Sequence, residues 1–176
     1  MQQGVNDVGI ETRYEFNEVT LLSAVAVGAP GKRTFFLTIG QKEKWVRVWV
    51  EKYLLETLAL AIDQFLFTLS QEHLPFGRRV EKIPLSDNAP SGLPSAELEI
   101  DQITLDFDRE RAVLNLMVHP SGPRRAEQAE LHCRVTPSQL RKLGKQAKSI
   151  CAAGRPICEL CGNPIDPAGH ICPGSN

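Results

Sequence analysis

The sequence predicts an α+β fold: an antiparallel sheet, or sheets, of about six strands packed with two main helices, plus a short tail bearing cysteine and histidine. Three observations carry that prediction. Apolar residues alternate in runs that come in two groups of three, which is the strand period. A segment with apolar residues every three or four positions, the helix period, follows each group. Three of the five cysteines fall between Cys158 and Cys172, among prolines and glycines.

The chain has 176 residues, which suits one domain and a small appendage. Apolar residues make up 42% and charged residues 23%, enough apolar content to bury a core. The formal net charge of −1 predicts no overall attraction to nucleic acid or to an anionic membrane. No apolar run reaches the length of a membrane span. The N-terminal residues lack the basic and apolar segments of a signal peptide. The expected location is therefore a reducing cytoplasm.

Residues 1–12 read as a lead-in. Tyr14 to Val27 reads as a strand, with Val19, Leu21, Ser23, Val25 and Val27 on one face and Thr20, Leu22, Ala24 and Ala26 on the other. Pro30-Gly31 suits a type II turn. Arg33 to Gly40 is the second strand, and Gln41–Lys44 is a polar hairpin tip. Trp45 to Val50 is the third strand, with Val46, Val48 and Val50 on one face and Trp45, Arg47 and Trp49 on the other. Glu51 to Leu69 is the first helix: Leu55, Leu58, Ile62, Phe65 and Leu69 form a wide apolar arc that should pack flat on the sheet.

Residues 74–95, rich in proline, glycine and serine, read as an irregular connection, with Arg78-Arg79 a minor basic spot. Ala96 to Asp108 is a strand whose apolar phase shifts between Ile100 and Ile103, which implies a bulge near Asp101. Asp108–Arg111 is a charged tip, Ala112 to Val118 returns, His119–Arg125 turns, and Ala129 to Val135 completes the second group. Thr136 and Pro137 are N-cap and first helical residue of a helix running to about Ala152. Its buried stripe is Leu140, Leu143, Ala147 and Ile150. The predicted organisation is an α+β domain over 13–152, built from halves 13–73 and 96–152 joined by 74–95, and a tail over 153–176. The two halves share a strand-strand-strand-helix order, although their residue identity is too low for a repeat.

The tail is where chemistry can be named. Cys158-x-x-Cys161 lets two thiolates converge on one ion, and Gly162 closes the turn. In His170-x-Cys172, extended backbone points both side chains to one side. Turn residues between the pairs carry the chain back. Three sulfurs and one nitrogen suit tetrahedral zinc, and four protein ligands make a structural site with no open position. Three other readings stay open: a redox Cys-x-x-Cys, a disulfide and an iron–sulfur cluster. Gly162, Pro164 and Pro167 argue against the helix that a redox pair usually opens, and a lone histidine is unusual in a cluster.

Two surfaces are candidates for a partner or an anion. The Trp45-Arg47-Trp49 face is either covered, with Arg47 stacked between the indoles, or an exposed binding patch. Arg141, Lys145 and Lys148 either complement the dipole of the last helix or form an anion-binding face. Cys133 reads as a buried small hydrophobe. Asp106 and Asp108 read as the polar face of a strand. His119 and His132 have no nucleophile or acid at a telling spacing, and no catalytic residue or organic-cofactor motif is identified.

Three segments together resemble the DUF3090 family, a bacterial family of unknown function. They are Gly28-Ala-Pro-Gly-Lys-Arg-Thr-Phe-Phe-Leu37, the helix beginning at Glu51, and the run from Ala153 to Cys172. The resemblance implies that the Cys-x-x-Cys and His-x-Cys pattern is shared and brings no activity with it. The leading expectation is a non-enzymatic binding or adaptor protein with one structural zinc per chain and a protein partner. The alternatives are an enzyme acting on a phosphorylated or acidic small molecule, in a cleft near Gly28–Arg33 or the basic helix face, and weak nucleic-acid binding through that face. No membrane partner is expected.

Overall fold

The computed structural model describes residues 13–72, 90, 92–121, 130–165 and 169–174. Most of the Pro-rich connection, with Arg78-Arg79, most of the turn ending at Arg125, and the N-terminal lead-in fall outside these residues. Nine elements follow in order: β1 (Tyr14–Phe16), β2 (Leu21–Val27), β3 (Thr34–Gly40), β4 (Trp45–Val50), α1 (Lys52–Gln71), β5 (Ala96–Asp108), β6 (Val113–Pro120), β7 (Leu131–Val135) and α2 (Pro137–Ala152). The predicted α+β class, with two antiparallel meanders each followed by a helix, is observed. The register of β5 against β6 shifts between Ile100 and Gln102, where the phase change placed a bulge.

The sheet differs from expectation in two respects. It is one sheet of seven strands, ordered β1-β7-β6-β5-β4-β3-β2, and it is mixed. β4 pairs with β5 in parallel, Val46 opposite Ala96, because α1 and the connection after it carry the chain back to the end where β4 began. The extra strand comes from Tyr14 to Val27, which is not one strand. The chain leaves the sheet at exposed Asn17 and Glu18, and Tyr14–Phe16 pairs in parallel with β7, Tyr14 opposite Leu131.

That break fixes the shape of the sheet. β1 and β2 sit on opposite edges yet are joined only by residues 17–20. The link from Phe16 to Leu21 can span roughly 18 Å at full extension. Six strand spacings in a flat sheet would need about 29 Å. The sheet must therefore curl until its edges approach. Phe16 records the closure: its ring lies 3.1 Å from where a Cβ on Gly40, in β3, would stand. α2 covers the edge that remains. Gln146 Oε1 accepts from the edge amide of Ala24 at 3.3 Å, and Gln139 Nε2 donates to the Val19 carbonyl at 2.8 Å.

Alternation fills one interior. Leu37 and Ile39 from β3, Val46 and Val48 from β4, Leu114 and Leu116 from β6, and Leu131 and Cys133 from β7 are fully buried, together with Leu55 and Ile62 of α1 and Leu140 and Leu143 of α2. α1 packs against α2 and, on the sheet, against β5. Gly144 is the close point, with Ile62 Cγ2 at 3.3 Å from where its Cβ would be. The other side of α1 leaves Tyr53, Leu60 and Phe67 exposed. By length and composition α1 could cross a membrane, but its buried residues belong to this core.

Candidate metal centre

α2 delivers the chain to the tail. Its N-terminus is set by a capping box: Thr136 Oγ1 accepts from the Gln139 amide at 3.0 Å, and Gln139 Oε1 accepts from the Thr136 amide at 2.9 Å. The helix ends at Ala152, and Arg155-Pro156 leads into a tight hairpin. Ile157 bridges Pro164. Cys158 N–H donates to the Asn163 carbonyl and Gly162 N–H to the Cys158 carbonyl, each at 2.8 Å, and Ile165 N–H donates to the Pro156 carbonyl at 2.7 Å. Gly162 has φ +72°, the left-handed conformation that such a turn requires. The second strap, Gly169–Gly174, packs back on the hairpin, so that Gly174 lies against Leu160.

The folding of these two straps brings four ligands together. One donor atom from each of Cys158, Cys161, His170 and Cys172 lies within 4.8 Å of every other. Cys158 Sγ and Cys172 Sγ are 3.7 Å apart, and Cys161 Sγ and His170 Nε2 are 3.1 Å apart. Two thiolates on one tetrahedral ion with metal–sulfur bonds of about 2.3 Å should stand about 3.8 Å apart. The Cys158–Cys172 separation is close to that edge and far beyond the roughly 2.05 Å of a disulfide. None of the five cysteines is in a disulfide. This Cys3His group can bind a metal ion and would leave it no open position.

The backbone prepares the site for charge. The amides of Cys161 and Leu160 point at Cys158 Sγ and pull that thiol down to about 6. Burial pushes the Cys172 thiol up, against the pull of the Gly174 amide. Ligand thiolates must be deprotonated to bind metal, and the hairpin supplies the first of them.

The other predicted residues lie in separate places. Trp45 is buried, and Arg47 lies over the rings of Phe36, Trp45 and Trp49 at 5.1, 5.5 and 5.5 Å. Glu97 ties the cluster together, accepting from Arg47 Nη1 at 2.8 Å and from Trp49 Nε1 at 2.9 Å. Arg47 is thus stacked among the rings with Nη1 paired to Glu97, while its buried Nε has no hydrogen-bond partner among the described residues. On α2, Arg141 and Lys145 are exposed, whereas Lys148 forms an ion pair with Asp63 of α1. His119 bonds Thr104 and His132 bonds Asn115, each at 3.0 Å. Burial pushes the Cys133 thiol far up, as for a core hydrophobe.

A cleft lies beside the Gly28–Arg33 loop, where the enzymatic alternative expected one. It measures about 490 Å³ and lies between the hairpin and the body, with Arg33, Lys52 and Arg155 in its walls. The loop containing Arg33 was a candidate, but Lys52 and Arg155 carry no motif. Only the fold brings the start of α1 and the exit from α2 to that loop.

A family model described as "Protein of unknown function (DUF3090)" matches residues 14–172, and the chain belongs to this family. No curated protein and no solved structure matches it.

Proposed function

We propose that this DUF3090 protein is a non-enzymatic binding or adaptor protein whose C-terminal tail is ordered by one structural zinc. The observation that carries the reading is the Cys3His group, with its donor atoms within 4.8 Å of one another. A soft donor set of this kind suits zinc, and four protein ligands leave no position for substrate or water. The tail is too short for a core of its own. Metal binding of this kind contributes on the order of 10 kcal/mol to ordering such a segment. The role of the zinc is to hold the tail against the body and so complete a binding surface.

The test is the metal content of protein purified without added metal, with wild type and Cys161→Ser compared. About one zinc per chain in the wild type and loss of it in the variant is the expected result. Metal-free wild type with freely titrating thiols would overturn the reading and favour redox chemistry at Cys158 and Cys161.

A further inference from the structure

The cleft between tail and body falls in the size range of small-molecule sites. Three segments remote in sequence wall it: the β2–β3 turn with Arg33, the start of α1 with Lys52, and the link from α2 to the hairpin with Arg155. One carboxylate, Glu51, lines the cleft with these three cations, and a second, Glu56, pairs with Lys52. The whole chain carries a net charge of −1, so the cleft is a local reversal of sign.

The cations are positioned by contacts within the chain. Arg33 Nη1 donates to the Ile150 carbonyl at 3.4 Å. Lys52 pairs with Glu56 at 3.3 Å, and its ammonium lies against Gly154. The Arg155 side chain crosses the β2–β3 turn at Gly31, where a Cβ would stand 3.2 Å from Arg155 Cδ and Nε. Gly31 also has φ +88°, so the turn and the close approach both require glycine. The N-terminus of α1 borders the same space. No side chain caps it and its first turn holds no acid, which leaves amide groups and the positive end of the helix dipole toward an anion. The remaining wall is apolar, with Phe35, Ile150 and Ile157.

We infer that the cleft binds a phosphomonoester with an apolar body, the phosphoryl group against Arg33, Lys52 and Arg155 and the body along Phe35, Ile150 and Ile157. The inference rests on the binding-protein reading and names its ligand class. A dianion matches three cations, and guanidinium groups match phosphoryl oxygens.

Isothermal titration of the metal-loaded chain with phenyl phosphate, inorganic phosphate and phenol tests it. Saturable binding of phenyl phosphate is expected, with weaker binding of inorganic phosphate and none of phenol. Arg33→Gln and Arg155→Gln should each weaken phenyl phosphate at least about tenfold. Arg141→Gln, outside the cleft, should not. No saturable binding to metal-loaded wild type at millimolar phenyl phosphate overturns the assignment, and so does binding that both cleft variants leave unchanged. Inorganic phosphate binding as tightly as phenyl phosphate would overturn the apolar half. Metal content and melting temperature, read on the same samples, separate these failures from loss of zinc or of fold. If Arg33→Gln does not fold, Lys52→Gln takes its place.

Discussion

His119 shows how a single side chain can make stability depend on pH. Its Nε2 meets Thr104 Oγ1, while its buried Nδ1 has no hydrogen-bond partner among the described residues. Burial lowers its pKa from the usual 6.5. A proton added at Nδ1 would place a charged donor where nothing accepts from it, so the unfolded chain binds that proton more readily. The contribution is therefore fully present above the unfolded pKa of about 6.5 and is lost as pH falls through the lower folded value. Urea midpoints should fall between pH 7.5 and pH 5 more steeply for wild type than for His119→Gln. Taking the difference between the two proteins cancels the acid sensitivity of the metal ligands and carboxylates. Equal slopes would mean that the ring is not held neutral in the folded state.

At the scale of elements, α2 has two jobs and Gln139 serves both. Its side chain closes the capping box and also donates to the Val19 carbonyl in the link between β1 and β2. Thr136→Ala removes one cap acceptor and should cost about 1 kcal/mol. Gln139→Ala strands two buried groups, the Thr136 amide and the Val19 carbonyl, at about 1–3 kcal/mol each. Chemical denaturation should therefore rank Gln139→Ala as the more damaging change, and the reverse order would deny α2 its role as edge cover. The helix start was legible because Thr136-Pro137 is a local signal, and so was the bulge, because Ile100 and Ile103 fall out of phase within one strand. The second job of Gln139 was not legible. It depends on Val19 arriving from more than a hundred residues away, just as the parallel pairing of β4 with β5 depends on a crossover. Tyr14 to Val27 misled although a local signal was present: Tyr14 and Phe16 fall out of phase with Val19 and Leu21 across the polar pair Asn17-Glu18, and the chain changes sheet edge there. The Cys3His group that could hold a metal was legible because pairs at i, i+3 and i, i+2 converge through local turns. Arg155 was not, because its importance comes from Gly31 across the cleft.

For the molecule as a whole, the question is whether the tail supports the body or the body supports the tail. The shared core gathers residues from Phe16 to Cys151, and no described residue of the tail enters it. Both helices, the curled sheet and the covered edge are complete before Arg155. The hairpin's own backbone hydrogen bonds run within residues 156–165, and a hairpin of that size has too little apolar surface to persist alone. Removing the metal should therefore act in one direction only. A strong chelator should leave the far-UV circular dichroism of the sheet and helices nearly unchanged and preserve a cooperative melt of the body. Amide hydrogen exchange should rise over residues 155–174 and at the cleft rim, while Leu37, Leu116 and Leu140 stay protected. Arg155, Ile157 and Pro164 wall the cleft from the tail side, so phenyl phosphate binding should weaken with metal loss although the body stays folded. Collapse of the entire exchange-protected core on chelation would show instead that the metal holds the whole domain together.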